Sequence, residues 1–201
     1  MATTAAPYGL RPVKRVDGMA YSGATSQYLI DPAGEGTNLF YGQVVIIGAD
    51  GYIALATANG EDLTTNNLGG DSVGAIGVFV GCEYTNSSGQ LVQAQFYPSG
   101  TAGGVIKAYV VDDANVLFQV QATGAMDQSD IGANTFFAAV QSTSTGNTAT
   151  GNSNSAATAT TQTAAAAFRI VSAVSPISDA YPDLLVKFNP GAHSMTNAVG
   201  I

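Results

Sequence analysis

The chain is 201 residues long and 46% hydrophobic, yet only 10% of its residues are charged, where soluble domains average about 25%. Fourteen acidic residues against six basic ones give a formal net charge of -8, which repels phosphate backbones and anionic headgroups and argues against nucleic acid or a membrane as partner. No run approaches the roughly 18 apolar residues of a membrane-spanning helix, and the single cysteine, Cys82, allows no internal disulfide.

In chain order, residues 1–20 carry Pro7, Gly9, Pro12 and Gly18 without a sustained hydrophobic period, which predicts an extended N-terminal arm. Met1 to Leu10 has neither the early positive charge nor the apolar stretch of a signal peptide, so synthesis in the cytoplasm is expected. Arg11, Lys14 and Arg15 are half of all the cations, and no carboxylate precedes Asp17. Two readings fit: a solvated tail, or an arm that docks on an acidic neighbouring subunit through Tyr8, Leu10, Arg11, Lys14 and Arg15.

Tyr21 to Ile30 predicts one strand, ended by Asp31-Pro32. The runs 44–47 and 52–55 flank Gly48-Ala49-Asp50-Gly51 and predict a β-hairpin. A loop through Asn59-Gly60 and 61–71 leads to a glycine-spaced strand over 73–84, and Asn86 to Gln90 turns it into a returning strand, Leu91 to Tyr97. Ile106 to Val111 and Val116 to Gln121 predict a third hairpin around Asp112-Asp113-Ala114-Asn115, whose side chains favour turns. A short helix is compatible only with 131–139.

Gln141 to Ala167 contains no charged, aromatic or branched aliphatic residue apart from threonine, which predicts a low-complexity surface loop. Disorder, a hairpin tip at a subunit contact, and a strand over 156–163 are the alternatives. Strands over 168–174 and 184–188 close the domain. The expected fold is all-β: a single β-sandwich or barrel over 21–201, with a low-complexity loop at 141–167 and the arm over 1–20.

Signals for chemistry are sparse. The one histidine, His193, lies in the weakly patterned tail and reads as a surface residue, and Cys82 reads as a core residue. Glu61-Asp62 and Asp112-Asp113 are adjacent pairs, which a strand would point to opposite faces. No D-x-D-x-D-G order, Walker glycines or zinc spacing is present, so neither a metal nor a cofactor is expected. An enzyme would need Asp112, Asp113 and His193 gathered in one pocket; a non-enzymatic structural or binding role is favoured.

Several segments carry a resemblance. Ala6-Pro7-Tyr8-Gly9-Leu10-Arg11-Pro12-Val13, Asn38 to Val45, Gly77 to Thr85, Ala108 to Asp113, Val116 to Gln121 and Asp183 to Asn189 resemble, in order, the head decoration (cement) proteins of tailed phages encoded beside the major capsid protein. The resemblance implies a β-rich virion protein on the outer capsid surface that clamps neighbouring major capsid proteins at junctions between hexamers and pentamers. A homo-oligomer is expected, a trimer before a dimer, since local threefold positions recur on icosahedral lattices. The alternatives are a tail, collar or head-fibre component, and a carbohydrate-binding module on the virion surface.

Overall fold

A computed structural model describes residues 4–56, 74–137, 146–161 and 166–196. Among them the strands run β1 (Arg11–Arg15), β2 (Ser26–Ile30), β3 (Val44–Ile47), β4 (Ile53–Leu55), β5 (Gly77–Thr85), β6 (Leu91–Ala94), β7 (Ile106–Val111), β8 (Val116–Gln121), β9 (Asn134–Thr135), β10 (Phe168–Ala173) and β11 (Asp183–Phe188). They form two antiparallel sheets packed face to face, the expected β-sandwich. The first sheet has the order β1-β8-β11-β10-β9; the second has the order β2-β7-β5-β3-β4, with β6 added to β5.

Strict alternation sends Val116, Phe118 and Val120 of β8, with Leu184, Val186 and Phe188 of β11, into the space between the sheets. There they meet Val44 and Ile46 of β3 and Val78 of β5, and Phe168 packs 4.9 Å from Phe188. The opposite parity of the second sheet builds another core. Val45, Ile53, Phe79, Cys82, Ile106, Ala108 and Val110 gather with Ile30, and β2 touches β4, so the sheet curls around them. Leu39 and Tyr97, paired through their backbones at 3.0 and 2.7 Å, seal this second core.

The hairpin around Asp50-Gly51 is present: β3 pairs with β4, Gly48 N–H donates to Tyr52 O, and Gly51 takes φ +81°. The β5–β6 hairpin is present as well, its turn held by Asn86 Oδ1 accepting from Ser88 and Gln90. The third expected hairpin is not. β7 lies in the second sheet and β8 in the first, so Asp112–Asn115 is an arch between sheets. Val111 and Val116 both enter the inter-sheet core, and a turn whose two ends are buried on facing surfaces spans the roughly 10 Å gap instead of reversing within one sheet. The stretch 131–137 is also not helical; a single 3-10 turn at Gln128–Asp130 leads directly into β9.

Of the low-complexity segment, residues 146–161 and 166–167 are described: 147–150 form an exposed turn, as a surface loop would, whereas the stretch from Gly151 to Ala157 and the pair Ala166-Ala167 pack inward and correct the surface-loop expectation there. Ser153, Ser155, Ala156 and Ala157 are buried, and Ala157 exchanges backbone hydrogen bonds with Gln121 and Thr123 at 2.9 and 2.8 Å. Side chains this small let one backbone run against another, so the segment packs as a strap beside β8. Residues 141–145 and 162–165 of that segment, and the predicted loop over 59–71, lie outside the described residues.

Residues 4–15 run extended along the domain, and 16–19 turn the chain back. β1 pairs with β8. Leu10 is fully buried in the inter-sheet core, with its N–H donating to Gly42 O at 2.9 Å. Gly9 and Gly42 cross there with φ of +82° and +85°, and a Cβ on Gly9 would meet Ser153 Oγ and Gly42 Cα. Only glycine satisfies both the space and the dihedral.

Candidate interaction surface

The outer face of the first sheet gathers cations from three strands. Register sets Arg11 opposite Gln119 and Lys14 opposite Leu117, on the side of β8 that points away from Phe118. On β11 and β10, Lys187 and Arg169 are direct cross-strand partners, again outside the core-facing Phe168 and Phe188. Four of the six cations thus share one face of a protein with a net charge of -8. Among the described residues, no carboxylate lies within ion-pair distance of any of the four. Arg169 and Lys187 escaped the sequence reading because its charge argument stopped at the N-terminus; the period-2 parity of the two closing strands is the signal that pairs them.

The five residues expected to contact a partner separate. Tyr8 donates its hydroxyl to Asp183 Oδ1 at 2.7 Å, and its ring lies under Arg11, 4.4 Å from the guanidinium carbon. Burial, and then Asp183, hold the Tyr8 hydroxyl well above its ordinary pKa, so it remains a donor. Arg15 is used within the chain: Nη1 is 2.9 Å from Asp113 Oδ2, and Nε sits 3.4 Å from Asp17 Oδ2 without hydrogen-bond geometry. Leu10, with no exposed surface, is a core residue. A contact through it is corrected: Leu10 points into the inter-sheet space, where it gains more from burial than an exposed arm offers. Arg11, Lys14 and the Tyr8 ring edge remain at the surface.

Beyond β1 the chain turns back on itself. Gly18 N–H donates to Arg15 O at 3.0 Å and Tyr21 N–H to Val13 O at 3.1 Å, giving a tight loop whose tip exposes Val16 and Met19. Val16 N–H donates to Asn115 O at 2.8 Å, which pins the loop to the arch.

A groove of about 400 Å³ lies on the second sheet, lined by Tyr41, Tyr109, Gln93 and Gln95 over Gly81 and Cys82. It sits where β5 is bulged between Phe79 and Gly81, and bulges re-aim neighbouring side chains. At its edge Glu83 accepts from Gln93 Nε2 and Lys107 Nζ, each at 3.2 Å, and these two bonds hold its carboxyl below the usual range. Cys82 is a core residue, as expected: its thiol donates to Phe96 O, and burial pushes its pKa up to about 12.

His193 corrects the surface expectation. It is 1% exposed, packs edge-on to Phe188 with ring centroids 5.3 Å apart, and accepts at Nδ1 from Met195 N–H. Its bridge to Ala75 draws the C-terminal tail under the second sheet, which period-2 reasoning had no strand to reveal. Asp112 and Asp113 are near enough to act on its charge. Their carboxylates are engaged instead by Tyr28 at 2.8 Å and Arg15 at 2.9 Å. None of the three lines the groove or the smaller cleft beside Leu29 and Val105. Among the described residues, no three His, Cys, Asp or Glu side chains gather to hold a metal ion. No family model, no curated protein and no solved structure matches the chain.

Proposed function

We propose that this chain is a non-enzymatic structural protein that decorates and stabilises the head of a tailed phage. It seats the basic outer face of its first sheet on acidic ground of the outer capsid surface and clamps neighbouring major capsid proteins. One observation carries the reading. Arg169 and Lys187 stand directly opposite each other across β10 and β11, and among the described residues no carboxylate lies in ion-pair reach of either, an arrangement that costs stability in a sheet. An anionic partner removes that cost on binding and gains charge-assisted hydrogen bonds from Arg11 and Lys14 on the same face.

A partner that binds only the assembled lattice shifts the equilibrium away from ruptured states, and many weakly bound copies add up. The test uses capsids of the parent phage produced without this chain. Wild-type protein should co-sediment with them and raise their temperature of heat rupture. The double reversal Arg169→Glu with Lys187→Glu should lose co-sedimentation, while the single change Lys187→Glu, which makes an opposite-charge pair, should stabilise the isolated chain by about 0.2–1 kcal/mol. Unchanged capsid binding by the double variant overturns the reading.

A second reading, a carbohydrate-binding module on the virion surface, draws on the groove between Tyr41 and Tyr109. It ranks lower because Gln93 and Gln95, the amides that would meet sugar hydroxyls, already donate to Glu83 and Asn152. Retention on immobilised polysaccharide that Tyr109→Ala abolishes would promote it.

A further inference from the structure

Among the strand residues of the first sheet there is one carboxylate, Asp183. Leu184, Val186 and Phe188 face the core, so the period of two turns Asp183 outward with Leu185 and Lys187, onto the basic face. Register sets Asp183 opposite Gln121 and Arg11 opposite Gln119. Their Cα atoms are therefore two strands and two residues apart, about 12 Å, which an extended arginine and an aspartate can close between them. Yet no ion pair links the two.

Tyr8 lies between them. Its hydroxyl donates to Asp183 Oδ1 at 2.7 Å, and the Arg11 guanidinium carbon stands 4.4 Å over its ring. The ring is held there by its neighbours in the chain: Ala6 N–H donates to Gln121 Oε1 at 2.8 Å, Gly9 N–H donates to Ser155 O at 3.1 Å, and Leu10 is buried. Burial, and then Asp183, keep the hydroxyl protonated, so it goes on donating.

We propose that Tyr8 is a positioning residue for anion recognition: it separates Arg11 from Asp183 and holds the guanidinium ready for a carboxylate of the partner. This rests on the reading that the basic face binds an acidic surface, and adds what keeps one of its cations active. A ring face fixes a guanidinium without supplying an acceptor atom. The planar fork of donors, which suits the two oxygens of a carboxylate, is then unspent. A salt bridge to Asp183 would spend it and neutralise one of the four cations. Tyr8 meanwhile gives Asp183 the donor that Arg11 would have provided.

The test reads Arg11 itself, by nuclear magnetic resonance of the isolated protein carrying isotopically labelled arginine, with the signal assigned by its loss in Arg11→Lys. Rotation about the guanidinium Cζ–Nε bond slows when a carboxylate grips the donors. In the wild type it should be indifferent to Asp183→Asn. In Tyr8→Phe, which keeps the ring but frees Asp183, it should slow by about two- to fivefold, as an exposed ion pair allows. Adding Asp183→Asn, or high salt, should restore the fast rotation. A merely structural role for Tyr8 would loosen the arm and speed the rotation, with no dependence on Asp183. On capsids, Tyr8→Phe should weaken co-sedimentation as much as Arg11→Gln does, and Tyr8→Phe with Asp183→Asn should regain it.

Unchanged rotation in Tyr8→Phe, or a slow wild-type rotation that Asp183→Asn releases, overturns the proposal; the second measurement does not depend on how a Tyr8 variant folds. If no form of the chain binds capsids, the reading of the face fails, while the response of Arg11 to Tyr8 and Asp183 is decided separately on the isolated protein.

Discussion

His193 is the residue whose chemistry is most changed by the fold. Its ring accepts at Nδ1, so in the neutral form the proton sits on Nε2, which has no hydrogen-bond partner among the described residues. Burial lowers its pKa from 6.5, with Asp112 and Asp113 opposing only in part. Between that lowered value and 6.5 the unfolded chain binds a proton that the folded chain refuses, so acid favours unfolding there. The contribution is complete above pH 6.5 and is lost as the pH falls through the window below it. Urea midpoints should therefore drop between pH 7.5 and pH 5.5, and His193→Asn, which keeps an acceptor for Met195, should flatten that drop. A wild-type midpoint independent of pH over this range would contradict the burial of a neutral ring.

At the scale of elements, the small-residue strap over 146–161 separates a packed segment from a loose one. Ala157 is 1% exposed and bridges both Ala122 and Phe137, while Thr160 is exposed. Ala157→Leu should cost about 1–3 kcal/mol by overpacking, and Thr160→Leu should stay within about 0.5 kcal/mol of wild type. Equal, negligible effects in thermal melts would return the segment to the surface-loop reading.

The strands with their own side-chain alternation were legible: β3, β4, β6, β7 and β8 fall inside the predicted runs, β5 overruns its own by Thr85 alone, and the Asp50-Gly51 turn needed only local chemistry. What could not be read was which sheet each strand joins. Ile106 to Val111 and Val116 to Gln121 look like hairpin arms because a four-residue turn serves a hairpin and an arch equally well, and only the facing surface decides. The strap carried no period because alanine, serine and glycine bury by closeness of backbones rather than by side-chain bulk. On the candidate surface, Arg11 and Lys14 were visible as a charge cluster, whereas Arg169 and Lys187 became part of it only through the register of β10, β11 and β8.

For the whole molecule, the proposed role seats the basic outer face of a charge-poor sandwich on a lattice of acidic partners. A tail or collar component would share the fold and the composition, but not the copy number or the place. Cryo-electron microscopy of intact particles of the parent phage measures both. On the proposed role, density for this chain is expected in on the order of hundreds of copies over the head, as icosahedral repetition requires, with β10, β11 and β8 turned toward the capsid. Density confined to the tail or collar in about a dozen copies, or a sandwich on the head whose Arg169 and Lys187 point to solvent, would contradict it.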